Sequence, residues 1–188
     1  MKWIIAIWNW IFEKPMPTNQ EEYLNSTLTF TDKAIKLGRR HLMNKWEEPF
    51  IKEYMLDLLR KYRPTSVLEI GFGYGYTASI INAYPTVKRH VIIEPHPEIL
   101  VLASQWAVGK NVEIIPKFIE DFKTLEKFDL IWDDIADVLE TRVFGEWKNP
   151  GVEIKNNYEI FLVSKLVKYM TEADKVRIEG LINEEING

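Results

Sequence analysis

Carboxylates and a glycine loop are the chemical resources of this chain, which has 188 residues, 28 of them acidic, three His and no Cys. Without Cys there is no thiolate nucleophile, no cysteine zinc site and no disulfide framework. His41, His90 and His96 are too dispersed to form a metal cluster, so no metal is expected. The stretch Val67-Leu68-Glu69-Ile70-Gly71-Phe72-Gly73-Tyr74-Gly75 is a β-rich run entering a glycine turn. Glycines there permit positive φ and let a ligand approach the backbone. About 20 residues on, Glu94 closes a second apolar run, where a carboxylate can accept both hydroxyls of a ribose. The loop reads G-x-G-x-G, with Tyr76 where a dinucleotide fingerprint has its third glycine, and Glu69 lies inside the first strand. Both details favour S-adenosylmethionine over NAD, with Glu69, Gly71, Gly73, Gly75 and Glu94 on the cofactor side. Ile119 and Glu120 follow a third apolar run and could frame an adenine.

Asp133-Asp134 closes a fourth apolar run, with Asp137 one turn later. Adjacent strand-end carboxylates are costly unless they meet a cation or titrate together. A divalent metal is one answer. A guanidinium or ammonium substrate is the better match, because it pairs bidentately with carboxylates.

The elements that must position these residues alternate. Strands are predicted at Ser66–Ile70, Arg89–Glu94, Val112–Ile115, Phe128–Trp132 and Lys175–Ile182, and helices at Asn44–Lys61, Thr77–Ala83, Pro97–Val108, Ile119–Leu125 and Asn157–Met170. Asn44–Lys61 is the clearest helix, with Trp46, Phe50, Tyr54 and Leu58 on one face. Glu21–Leu37 reads as helical with a Thr-rich centre that weakens it. Strands separated by such helices imply right-handed crossovers. The fold class is therefore α/β: an open, doubly wound, mainly parallel sheet of about five strands. Ligands of such sheets sit beyond the carboxyl ends of the strands. The division expected is an N-terminal extension, 1–43, and a cofactor-binding domain, 44–188.

A net charge of −4 disfavours a duplex nucleic-acid partner. Met1–Phe12 is apolar with three Trp but far short of the roughly 20 residues that span a bilayer. It is expected to pack on the domain or a second subunit, an interfacial anchor being the alternative. Glu13-Lys14-Pro15 follows it with no cleavage signature, and a cytoplasmic location is expected.

Met43-Asn44-Lys45-Trp46-Glu47-Glu48-Pro49-Phe50, together with the glycine loop and His90-Val91-Ile92-Ile93-Glu94, resembles guanidinoacetate methyltransferase and the related type 2 arginine N-methyltransferase. The resemblance runs from about Tyr23 to Ile182 and implies a Rossmann-like fold with S-adenosylmethionine as cofactor. It implies that Glu47 and an Asp after the fourth strand hold a guanidinium, position matching Asp134 while leaving Asp133 open. It places Glu94 at the ribose, Ile119 and Glu120 beside adenine, and Met43 and Trp46 near the cofactor. Where the family carries Asn-Leu-Thr-Ser after its fifth strand, this chain has Gly180-Leu181-Ile182-Asn183, so guanidinoacetate itself is not the expected acceptor. The acceptor expected is a small-molecule or peptide guanidino or amine group. The family's last antiparallel strand pair is not expected, which leaves Lys175–Gly180 as a bare edge and predicts a homo-oligomer through that edge or the N-terminal segment. Alternatives are a methyltransferase of the same fold with an unrelated acceptor, and a non-catalytic cofactor-binding scaffold.

Overall fold

A computed structural model describes residues 17, 19–38, 40–134, 158–160 and 167–187. The expectations for Met1–Phe12 and Asp137 fall outside those residues. Five parallel strands form the central sheet: β4 (Ser66–Ile70), β5 (Arg89–Ile93), β6 (Glu113–Ile115), β7 (Leu130–Asp133) and β8 (Tyr158–Ile160), in the order β6-β5-β4-β7-β8. All neighbours pair in parallel, and the order reverses beside β4, the topological switch point where open α/β sheets bind ligands. The doubly wound Rossmann-like fold expected from the sequence is the fold observed.

Helices and the apolar register of the strands build the core. Pro49 opens α2 (Glu48–Tyr62), which buries Phe50, Ile51, Tyr54, Met55, Leu58 and Leu59. That face packs on Val67, Leu130 and Trp132 of the sheet, with the Tyr54 ring 5.6 Å from Trp132. Arg63 ends the helix in the left-handed region, its N–H donating to Leu59 O, and Pro64 prevents continuation. Helices α3 (Tyr76–Ala83) and α4 (Pro97–Ala107) follow β4 and β5 as crossovers. On the opposite face Leu68, Ile70, Val91, Ile93 and Ile131 cluster with Ile119 and Phe128.

Four sequence expectations are corrected. Glu21–Leu37 is not one helix: after the short α1 (Gln20–Leu24) it forms β1 (Leu28–Phe30) and β2 (Ala34–Leu37), which join β3 (Arg40–Asn44) in an antiparallel sheet. The Thr31 hydroxyl accepts the N–H groups of Lys33 and Ala34, at 3.1 and 2.8 Å, and so fixes the turn that a helix would have to straighten. Lys175–Ile182 is not the fifth strand but part of α5 (Glu172–Asn187). Thr171 and Asp174 exchange hydrogen bonds across its first turn, a capping box whose T-x-x-D spacing outweighs the alternation of Val176 and Ile178. Ile178 is buried against the α2 cluster, so the bare edge assigned to this segment does not exist. The fifth strand lies instead at Tyr158–Ile160, inside the expected helix Asn157–Met170, whose described end is a 3₁₀ turn at Val167–Tyr169. The helix expected at Ile119–Leu125 is likewise a single 3₁₀ turn, Ile119–Asp121. Among the described residues no helix is long and apolar enough to cross a membrane.

Candidate active site

The carboxyl ends of β4, β5 and β7 bring the glycine loop, Glu94 and Asp134 together. Gly71 N–H continues the β5 pairing to Ile93 O, and Asp134 N–H donates to Ile70 O at 3.0 Å. The backbones approach so closely that a Cβ on Gly71, whose φ is +90°, would lie 2.9 Å from Asp134 O. Gly73, at φ +56°, is held for a different reason: its Cβ would meet Met43 Sδ at 2.5 Å. The same sulfur accepts the Tyr74 N–H at 3.2 Å, so the antiparallel sheet locks the glycine loop through Met43. Tyr74 Oη donates to Thr31 O, a second tie between loop and sheet. Gly75 packs against the buried Phe72 ring.

Glu94 is buried, its Oε2 accepting Phe72 N–H at 3.0 Å and its Oε1 accepting His96 N–H at 2.8 Å. Each oxygen keeps a lone pair for a diol hydroxyl, so the group present suits a ribose. Burial pushes this carboxyl up to about 7, against the two N–H donors that lower it. His96 caps α4, its Nδ1 accepting Glu98 N–H while Nε2 lies 3.2 Å from Ser26 Oγ. Burial lowers its pKa, as a neutral capping imidazole requires. Tyr23 of α1 stacks edge-on against His96 and Phe118, with centroids at 5.1 and 5.9 Å. Burial and then the charge of Glu94 push its phenol up. The sequence reading missed Tyr23, because the short helix that carries it was not legible, and Phe118, which precedes the 3₁₀ turn Ile119–Asp121 and gains its place only through its ring contact with Tyr23.

Glu47 stands at the end of a 3₁₀ turn, Lys45–Glu47, that follows β3. It is 5% exposed, and its Oε1 accepts Asn44 Nδ2 at 2.7 Å and Asn44 N–H at 3.3 Å. No described residue donates to Oε2. Burial pushes the Glu47 carboxyl up to about 7, the Asn44 bonds opposing. Asp134 is raised well above the usual carboxylate range, by burial first and then by the charges of Glu47, Glu69 and Asp133. Its side chain accepts no hydrogen bond among the described residues, whereas Asp133 is buried and engaged.

The remaining expected residues separate. Trp46 is half-buried against the α2 core. Glu69 is fully buried and engaged inside the sheet, accepting Thr77 Oγ1 at one oxygen and facing His90 Nε2 at 2.9 Å with the other. Ile119 is a core residue and Glu120 is exposed. No group of three or more possible metal ligands gathers among the described residues.

A family model described as guanidinoacetate N-methyltransferase matches residues 18–145, more than half of the chain. No curated protein matches. Among solved structures, the chain is similar to N-methyltransferase NodS from Bradyrhizobium japonicum WM9 in complex with S-adenosyl-L-homocysteine, with 27% identity and a TM-score of 0.38 over 48% of this chain and 50% of that one. It is also similar to the plantazolicin methyltransferase BpumL in complex with a monoazolic desmethylPZN analog and S-adenosylhomocysteine, with 14% identity and a TM-score of 0.42 over 74% and 57% of the two chains. The chain thus spans about half the length of these structures.

Proposed function

The chain belongs to the guanidinoacetate N-methyltransferase family, a family of S-adenosylmethionine-dependent methyltransferases, and from that premise we propose that it methylates a nitrogen of a cationic acceptor, in the finest form a guanidino group. S-adenosylmethionine would supply an electrophilic methyl. Glu94, the loop Gly71–Gly75 and the Tyr23 and Phe118 rings are the groups that would hold it, with Met43 and Trp46 alongside.

One observation carries the acceptor class. Glu47 Oε2 and the Asp134 carboxylate take no donor from any described residue, and the charge of Glu47 raises the cost of ionising Asp134. A guanidinium or ammonium between them would supply the donors and the compensating charge. A guanidinium holds its proton until above about pH 12, so the nitrogen must shed it as the new bond forms. A carboxylate raised to about 7, as Glu47 is, sits well for accepting that proton at Oε2. The second carboxylate orients the planar fork. Asp134 takes that part better than Asp133, which already has partners. Glu69 reads as a support of the β4–β5 strand pair beneath the loop. Residues 1–43 would act as a cap over the cofactor-binding domain, 44–188, with β3 running across that boundary.

The test is a pair of measurements. S-adenosylhomocysteine at a hundredfold excess over its Kd should stabilise the protein by about 2.7 kcal/mol, with NAD giving no shift. Methyl transfer from labelled S-adenosylmethionine should then appear with guanidino acceptors, free or in peptides, ahead of neutral amides and alcohols. Stabilisation without transfer to any acceptor would select the non-catalytic scaffold, and preference for a neutral acceptor would remove the carboxylate clamp.

A further inference from the structure

Behind Glu47 lies a buried chain of polar groups outside those proposed to hold the cofactor. His41, Asn44 and Glu47 are spaced three apart, from β3 into the 3₁₀ turn, and are 4%, 4% and 5% exposed. The roles in this chain are fixed by elimination. Asn44 Nδ2 donates to Glu47 Oε1, so Asn44 Oδ1 is the atom turned to His41 Nδ1, 2.7 Å away. A carbonyl oxygen only accepts, so His41 Nδ1 carries the proton. The Asn44 amide is thereby held at both ends, and Glu47 Oε1 receives two donors from one residue. Turning the Glu47 carboxylate would break both and leave a buried Asn amide unpaired. The groups that bear on Glu47 are Asn44 on its own element, Asp134 at the end of β7 and the Tyr76 phenol at the start of α3.

A helix cap would need only the Asn44–Glu47 half of this arrangement; it has no use for a buried imidazole behind the asparagine. We propose that His41 is a positioning residue: acting through the Asn44 amide, it commits Glu47 Oε1 to the protein and presents Oε2 to the acceptor. The inference rests on the reading of Glu47 as an acceptor-holding carboxylate.

Two polar replacements of His41 separate this role from bulk packing. His41→Asn can place an amide N–H where imidazole Nδ1–H stands, whereas His41→Gln carries its amide farther out, on the Nε2 side. In His41→Gln, kcat/KM for the acceptor should fall about fivefold to tenfold, chiefly through the acceptor KM. The Kd for S-adenosylhomocysteine should not change, and His41→Asn should recover most of the loss. Equal behaviour of the two variants, or a parallel weakening of cofactor binding, would overturn the proposal in favour of a packing role. A second arm needs no acceptor: crystal structures of both variants should show Glu47 turned in His41→Gln and held in His41→Asn. Glu47 unmoved in both overturns the inference. Wild-type protein that transfers no methyl group, with Glu47 still released in His41→Gln, overturns only the reading beneath it.

Discussion

Two buried glutamates, Glu69 inside the β4–β5 pair and Glu47 at the rim, are nearly equal in burial and opposite in how they are satisfied. Both oxygens of Glu69 have partners from within the fold, Thr77 Oγ1 and His90 Nε2. Glu47 has both of its donors on one oxygen and none from the described residues on the other. Burying a carboxylate is costly, and a fold that satisfies one completely gains structure from it. A fold that satisfies one by half keeps a standing demand for a ligand with positive charge. On the proposed reading the two residues belong to different trades, stability and recognition, although both were expected at the site, Glu69 from its place in the first strand and Glu47 from the family resemblance.

The sharpest way to break that contrast is a double dissociation, which also carries the largest effect. Glu47→Gln and Asp134→Asn should each lower kcat/KM for a cationic acceptor by about a hundredfold to a thousandfold, with S-adenosylhomocysteine binding retained. Glu69→Leu should do the reverse. It leaves the buried His90 with no partner among the described residues at either ring nitrogen, since Nδ1 already has none there, and should cost about 3–5 kcal/mol in urea unfolding. If Glu69→Leu folds with unchanged stability and loses activity instead, the assignment of trades is wrong.

Much of this arrangement was legible in the sequence because local and global signals agreed there. Ser66–Ile70 and Arg89–Ile93 are β-rich, bounded by turn residues and buried on both faces, so no other element fits them. Glu94 and the pair Asp133-Asp134 followed from strand ends, and the preference for Asp134 came from the family resemblance. The antiparallel sheet did not, because Leu28–Phe30 and Ala34–Leu37 are three and four residues long and their pairing is decided by the Thr31 turn. Missing α1 and that sheet hid Tyr23, His41 and the contact of Met43 with Gly73. In the C-terminal part, an apolar alternation too short to exclude a helix was read as a strand. The capping residues Thr171 and Asp174 were the evidence against it.

Titration sharpens the contrast at the next level of effect. Glu47 and Glu94 both stand at about 7 in the folded protein, above their value in an unfolded chain. A carboxyl raised in this way binds more protons folded than unfolded between roughly pH 4.5 and 7. Its contribution to stability is then complete below about 4.5 and is lost as the pH rises through about 7. Unfolding measured in urea should show stability falling by about 2–3 kcal/mol per group across that window. Glu47→Gln and Glu94→Gln should each remove one share of the fall. A cationic acceptor bound at Glu47 should flatten its share, because it favours the ionised form. A wild-type profile that rises with pH over this range would mean that neither rim carboxylate is held at the cost assigned to it.

The smallest effect concerns how the antiparallel sheet holds the loop, and Gly38 supplies its control. Gly38 and Gly73 have almost the same backbone angle, φ +57° and +56°, but a Cβ on Gly38 would meet nothing within 4 Å whereas one on Gly73 would meet Met43 Sδ at 2.5 Å. Gly38→Ala therefore measures the left-handed backbone alone, about 1 kcal/mol. Gly73→Ala adds to it the displacement of a thioether that accepts the Tyr74 N–H. A thioether is flexible and can shift, so the excess over Gly38→Ala should stay near 1 kcal/mol, well short of a core clash. Adding Met43→Ala to Gly73→Ala should recover part of that excess, since the two changes touch one another and their effects will not add. An excess that survives loss of Met43 would mean that the loop is held by the sheet's backbone, and Met43 would then have no part in fixing the glycine turn.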